Sequence, residues 1–222
     1  MRAFAFLLTL LMSLFAVHAK AACIPDEIEK AVWQAVANSS DPAQIRYYLD
    51  SYPKGCFRKL AILKLDNILP VRPALKVIGN QQGGGELVGA NGSWIIVQVN
   101  GGKNSFQKLK VVPMYDFAAK IGFYIQCDAA GIGLTPYLPD GGPCPSGNTP
   151  FIQGFGLRLT GEYAAYYDLR FECKTIRYQG VGETNYGPTN DWCGVRNPTP
   201  ETWIKGVKVD VVRNFSYKEK EE

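Results

Sequence analysis

Histidine is almost missing from this chain. Its 222 residues hold one, His18, inside an N-terminal stretch that reads as a cleavable leader. Without it there can be no Ser-His-Asp triad, no Cys-His nucleophile, no imidazole metal ligand and no histidine general base. Charge of one sign is also lacking. The net charge is +4, and Lys and Arg are scattered along the sequence, so no block points to nucleic acid or an anionic membrane. After the leader no apolar run is long enough to span a bilayer. No cysteine pair has the close spacing of a zinc knuckle. The glycine run Gly83-Gly84-Gly85 is not closed by Gly-Lys-Ser/Thr and no strand–loop–helix frame surrounds it, so it reads as a loop rather than a phosphate cradle.

What is present begins with the leader. MRAFAFLLTLLMSLFAVHA puts one Arg before an apolar run from Ala3 to Val17 and ends in the small-residue pattern Val17-His18-Ala19. That is the grammar of a secretory signal, with cleavage after Ala19 or Ala21 and an exported product, periplasmic or secreted. An acylated Cys23 is a poorer reading, because Lys20 stands where a lipobox carries an aliphatic residue. About 200 residues remain, enough for one large domain or for a small and a medium one. Losing Arg2 with the leader would leave a charge of +3.

All six cysteines follow the leader. An even number in an exported chain favours disulfides, and six permit fifteen pairings. An internal repeat chooses among them. FAAKIGFYIQC (Phe117 to Cys127) is a diluted copy of YAAYYDLRFEC (Tyr163 to Cys173). FIQGFGLRL (Phe151 to Leu159) matches WIKGVKVDV (Trp203 to Val211), and each copy carries a second cysteine in a Gly/Pro-rich loop, Cys144 or Cys193. Equivalent repeats close equivalent loops. The expected pairs are therefore Cys127–Cys144 and Cys173–Cys193, which leaves Cys23–Cys56, each worth roughly 3 kcal/mol by loop entropy.

From Ile24 to about Asn67 the pattern is helical. Pro25, Asp26, Glu27 and Glu29 suit a first turn, and Ile28, Ala31, Val32, Ala35 and Val36 recur at three-four spacing. Asp41-Pro42 restarts a helix as N-cap and first residue, with Ile45, Tyr48 and Leu49 on one face. Tyr52-Pro53-Lys54-Gly55 ends it. A third helix follows, with Phe57, Leu60, Ala61, Leu63, Leu65 and Ile68 as its apolar face. Trp33 and SSDPAQIRYYLDSYPKGCFRKLAILKL resemble the short helical module that accompanies caspase-like peptidase domains in many bacterial proteins, over residues 24–68. The match rests on Asp41, Pro42, Tyr48, Leu49, Tyr52, Pro53, Gly55, Phe57, Leu60 and Ala61. The resemblance implies a tetratricopeptide-like scaffold for protein contacts with no catalysis of its own.

Pro70 and Pro73 mark the domain boundary. Trp94–Val99 and Leu109–Val112 read as strands around an Asn100-Gly101-Gly102 turn. Tyr167–Glu172, GFGLRL and GVKVDVV alternate as half-buried strands do. The expected organisation is a leader at 1–19, a helical module at 20–68, a linker with the Gly-rich loop at 69–92, a β domain at 93–215 and a disordered tail at 216–222. The fold class is segregated α+β: three helices, then an all-β antiparallel domain of about two and a half repeats, as sandwich, prism or trefoil-like barrel. Residues 106–212 resemble the clostridial hydrophobic repeat, a conserved-tryptophan module of exported bacterial proteins. LTGEYAAYYDLRF (Leu159 to Phe171) fits its opening, and GIGLTPYLPDGGPC (Gly131 to Cys144) keeps its glycine spacing through Gly133 and Gly141. FIQGFGLRL and WIKGVKVDV keep its closing strand. Leu134 and Tyr137 replace its two tryptophans, and the second copy has an insertion around Gly180 to Asn190. The resemblance implies interaction at a surface, with glycan or protein, and no reaction.

The loops supply candidate ligand groups: Tyr137, Asp140, Tyr178, Asn185, Tyr186, Asp191 and Trp192. A sugar site needs a flat ring for the C–H face and planar amides or carboxylates for hydroxyls. Tyr163, Tyr166, Tyr167 and Trp203 read as packing. A carboxylate hydrolase built on Glu162, Asp168, Glu172, Glu183 and Asp191 is the enzymatic alternative, although alternation divides these residues between sheet faces. A calcium site at Glu183, Asn185, Asn190 and Asp191 matches no standard loop spacing. The expectation is a non-enzymatic interaction protein without metal or cofactor, binding a carbohydrate or a protein. The second reading is a partner or inhibitor that docks through the helical module at Arg46, Tyr47 and Lys54.

Overall fold

The computed structural model describes residues 23–82, 84–97, 105–146, 151–175, 184–186, 192–194 and 203–217, with 184–186 described by backbone alone. The leader, the Asn100-Gly101-Gly102 turn, Tyr178, Glu183, Asn190, Asp191 and the end of the tail lie outside the described residues. The chain divides into two compact units, Met1–Leu65 and Asp66–Glu222.

In the first unit α1 spans Glu27–Ala37, and the carboxylate of Asp26 caps it by accepting from the Glu29 N–H at 2.6 Å. Helix α2, Pro42–Ser51, is capped by Asp41, which accepts from the Ala43 N–H at 2.9 Å, with Pro42 at its start. Helix α3 spans Arg58–Ile68, so the division between the units falls inside it. Cys23–Cys56 ties the segment ahead of α1 to the turn ahead of α3. The Trp33 ring stacks on Phe57 at 5.3 Å and tilts against Tyr48 at 5.2 Å. The buried Tyr48 hydroxyl donates to Glu29 Oε1 at 2.7 Å and accepts from the Phe57 N–H at 3.1 Å. Burial, and then the Glu29 hydrogen bond, push the Tyr48 phenol above its ordinary range.

Two helical faces differ from the periodic reading. Glu29 and Val36 are the buried residues of α1, while Ile28, Ala31 and Ala35 face solvent. On α3 the buried pair is Ala61 and Leu65, with Leu60 and Leu63 exposed. On α1 the Tyr48 hydroxyl donates to Glu29 and so supplies the partner that a buried carboxylate needs.

The second unit is built of four-strand repeats. The first has β1 (Leu75–Gln81), β2 (Glu86–Ala90), β3 (Trp94–Ile96) and β4 (Phe106–Pro113). The second has β5 (Gly122–Ala129), β6 (Gly133–Leu134), a segment through Cys144, and β7 (Ile152–Thr160). The third has β8 (Tyr167–Thr175), β9 (Thr184–Tyr186), β10 (Cys193–Gly194) and β11 (Ile204–Arg213). Short 3-10 turns at Tyr115–Ala119 and Ala164–Tyr166 lead into β5 and β8. The three sheets run β2-β1-β4, β10-β7-β5-β6 and β3-β11-β8-β9.

In every repeat the first strand pairs antiparallel with the second and the fourth. The third strand leaves its own sheet. β3 joins β11, β10 joins β7, and Cys144 bridges to Leu109 of β4. The exchange is cyclic, so the three sheets close on one another around a common core. Even the β-bulge recurs, between Asn80 and Gln81, between Asp128 and Ala129, and between Ile204 and Gly206. Val77, Ile125 and Phe171 occupy one register position of this core, facing Val111, Leu157 and Val209, and all six are buried.

This corrects the repeat count and one boundary. Residues 69–92 are not a linker, because β1 and β2 lie there, and the half copy is a whole third repeat. Its likeness was concealed because it lacks cysteines. By register, Gly79 and Ile95 stand where the other repeats have Cys127 with Cys144 and Cys173 with Cys193. Those two disulfides are formed, and each ties one sheet to the next. At the third junction the Phe106 ring and, at 3.0 Å, Ile95 Cδ1 occupy the space around a Cβ on Gly79, so side-chain packing fills the room of a disulfide. All three cysteine pairs are those that the repeat argument selects.

Candidate functional site

Alternation turns Phe123, Ile125 and Cys127 of β5 to the core and leaves Tyr124, Gln126 and Asp128 on the outer face. On β7 the outer positions are Gly154, Gly156 and Arg158. The register sets Tyr124 beside Arg158, Gln126 beside Gly156, and Asp128 beside Gly154. With two glycines in the row, part of the strand carries no side chain, and the Trp192 ring lies over Gly154.

Tyr137 arrives from the segment after β6. It is held on both sides, since the Cys127 N–H donates to Thr135 Oγ1 at 3.0 Å and Leu138 exchanges backbone hydrogen bonds with Ile125. Its ring lies 4.2 Å from the Arg158 guanidinium carbon, a cation–π contact worth about 0.5–1 kcal/mol at an exposed site. Tyr124, the cross-strand partner of Arg158, is 43% exposed. The Gln126 amide donates to the Thr135 carbonyl at 2.7 Å. Burial raises the Asp128 carboxyl above its ordinary range. A ring, a guanidinium, a second ring and an amide thus share one sheet face, with the exposed Leu134 at its edge.

Asp140 stands at the next corner with φ 56, followed by Gly141 at φ 68. Its register counterpart in the first repeat, Asn91, is fully used. That amide donates to Pro73 O and Val211 O, each at 2.9 Å, and accepts from the Val211 N–H at 2.8 Å. Asp140 is exposed and makes no hydrogen bond among the described residues. Its carboxylate is available to a ligand next to Tyr137.

Trp192 does not fit the role expected for it. It is 8% exposed and its ring lies on Gly154, where a Cβ would come within 2.8 Å of Cε2. Trp94 stands in the same way over Gly206, its register counterpart in the third sheet. Both tryptophans cover backbone, so Trp192 is packing. The β9 backbone puts Asn185 opposite Glu172 and Tyr186 opposite Phe171. Asn185 therefore shares its register position with Tyr137, whose neighbour Leu138 faces Ile125. Tyr178 and Asp191 lie outside the described residues.

The carboxylates of the hydrolase reading are dispersed. Glu162 holds Lys120 at 2.5 Å ahead of β8, Glu172 holds Lys208 at 3.0 Å on the third sheet, and Asp168 faces Val212. Among the described residues no three His, Cys, Asp or Glu side chains come together as a metal site. No described helix is long and apolar enough to cross a membrane. Sequence reasoning missed Tyr124, Gln126 and Arg158, because it looked to loops and these lie in mid-strand. Their alternation with buried neighbours was the available signal. Compared with family models, curated proteins and solved structures, the chain matches none.

Proposed function

We propose that this is an exported interaction protein whose β unit binds a glycan on the outer face of the second sheet and catalyses no reaction. The observation that carries the reading is the Arg158 guanidinium over the Tyr137 ring, with Tyr124 the cross-strand partner of Arg158 in the register. A sugar ring lies on such a flat surface through its C–H face, while the guanidinium edge and the free Asp140 carboxylate serve its hydroxyls. The apolar leader, the paired cysteines and the resemblance to surface repeats agree with export. A glycan-array screen of the oxidised protein with its Tyr124→Ala and Arg158→Ala variants tests the site. A hit lost in both variants supports it. A hit that survives both places binding elsewhere, and a blank array moves the reading to proteins.

One observation favours the second reading, a protein partner met by the helical unit. Ile24, Ile28, Ala31 and Ala35 are exposed at three-to-four-residue spacing, and Tyr47 is 66% exposed. Pull-down from the exported fraction, with Ile28→Glu as the control bait, tests it. A partner retained equally by both baits would rule this face out.

A further inference from the structure

The outer face of the first sheet carries a different chemistry. Its register makes a grid of three rows: Glu86–Asn80–Lys108, Val88–Ile78–Lys110 and Ala90–Lys76–Val112. Lys108 and Lys110 are two residues apart on β4, about 7 Å along one face, and Lys76 is diagonal to Lys110 at a similar distance. None of the three lysines has an ion pair or hydrogen bond among the described residues. Glu86 is the one acid in the grid, on the edge strand and two strands away from Lys108.

The repeats supply an internal control. In the third sheet the counterpart of Lys110 is Lys208, and the residue facing it is Glu172, which neutralises it at 3.0 Å. In the first sheet the facing residue is Ile78. The fold thus has a position for the neutralising acid, and this repeat fills it with an isoleucine. We propose that the Lys76–Lys108–Lys110 face binds an acidic polysaccharide, a polymer of carboxylate-bearing sugars, independently of the second sheet.

The middle row explains the preference for sugar. Val88 is 53% exposed and lies beside Ile78, so an apolar strip runs between the lysines. A uronic-acid ring offers an apolar C–H face with a carboxylate at its edge, which matches both parts. A phosphate backbone has no such face, and three phosphate contacts give only weak, strongly salt-dependent binding. An anionic bilayer would gain about 1 kcal/mol per lysine and leave the apolar strip unused.

Affinity electrophoresis through gels containing polygalacturonate, at low and raised salt, tests this with an amylose gel as the neutral control. The protein should be retarded by polygalacturonate and not by amylose. A Lys76→Gln/Lys108→Gln/Lys110→Gln variant should bind about tenfold more weakly. Lys54→Gln/Lys59→Gln/Lys64→Gln, which removes equal charge from the helical unit, should bind as the parent does. Ile78→Glu restores the pairing of the third sheet and should weaken retardation, by less than the triple lysine variant, without lowering Tm, whereas Tyr124→Ala should leave it unchanged. Equal loss in both lysine variants would reduce the effect to net charge and overturn the proposal. So would retardation that Ile78→Glu leaves undiminished, or binding to DNA or anionic vesicles in place of the polyuronate.

Discussion

Tyr48 and Glu29 form a buried polar contact inside the helical unit. Replacing Tyr48 by Phe keeps the ring against Trp33 but strands a buried carboxylate and the Phe57 N–H. The expected cost is about 1–3 kcal/mol, read from denaturant unfolding of the helical signal. The same phenol sets a pH limit. Burial raises the phenols of Tyr48 and Tyr167 in the folded protein, above an unfolded value near 10. A raised pKa contributes stability that is complete below the unfolded value and is lost as pH rises beyond it. Alkaline titration should therefore show tyrosinate absorbance for these two appearing only in step with unfolding. Free titration of every tyrosine in a folded chain would refute that. On the second sheet, Gly154→Ala should cost about 1–3 kcal/mol because its Cβ meets the Trp192 ring. Gly206→Ala should cost less, since the nearest Trp94 atom is 3.4 Å away. Paired melts of the two variants decide it.

At the scale of the element, the strand triad and its borrowed fourth strand explain where the disulfides fall. Each links a first strand to a third strand lodged in the neighbouring sheet. The open junction can be closed by design. Gly79→Cys with Ile95→Cys should bond only when Phe106→Ile is added, because the Phe106 ring occupies the Cβ space of Gly79 and its counterparts are Ile152 and Ile204. The triple variant should gain about 3 kcal/mol on oxidation, seen as a rise in Tm that reductant reverses. A double variant that oxidises as readily would show that Phe106 is no obstacle.

At the scale of the molecule, the cyclic exchange gives two of the β sheets a strand from another repeat and bridges the Cys144 segment to the first, so no sheet can open alone. The β unit should melt in one transition with its two disulfides intact. Cys23→Ser with Cys56→Ser should instead loosen the small helical unit, whose core is a few residues around Tyr48. Far-ultraviolet dichroism should then lose helix at a temperature where the β signal persists, and simultaneous loss of both would count against separate units.

The sequence alone determined the helices and the Asp41 cap, the strand alternation after Leu109, and the pairing of the cysteines. These are local periodicities or direct copies, and both are written along one stretch of chain. It also singled out Tyr137 and Asp140 as candidates, because a tyrosine and an aspartate among glycines are conspicuous. The third repeat was hidden because Gly79 and Ile95 do by packing what cysteines do elsewhere, and packing equivalence leaves no common letter. Trp192 was misread for the same reason: whether an aromatic covers a glycine or meets a ligand depends on a strand that lies distant in sequence. Tyr124 beside Arg158, and three lysines from two separated strands on one face, exist only once the register is set. Register is fixed by burying one side of each strand in a shared core, and that decision belongs to the tertiary structure.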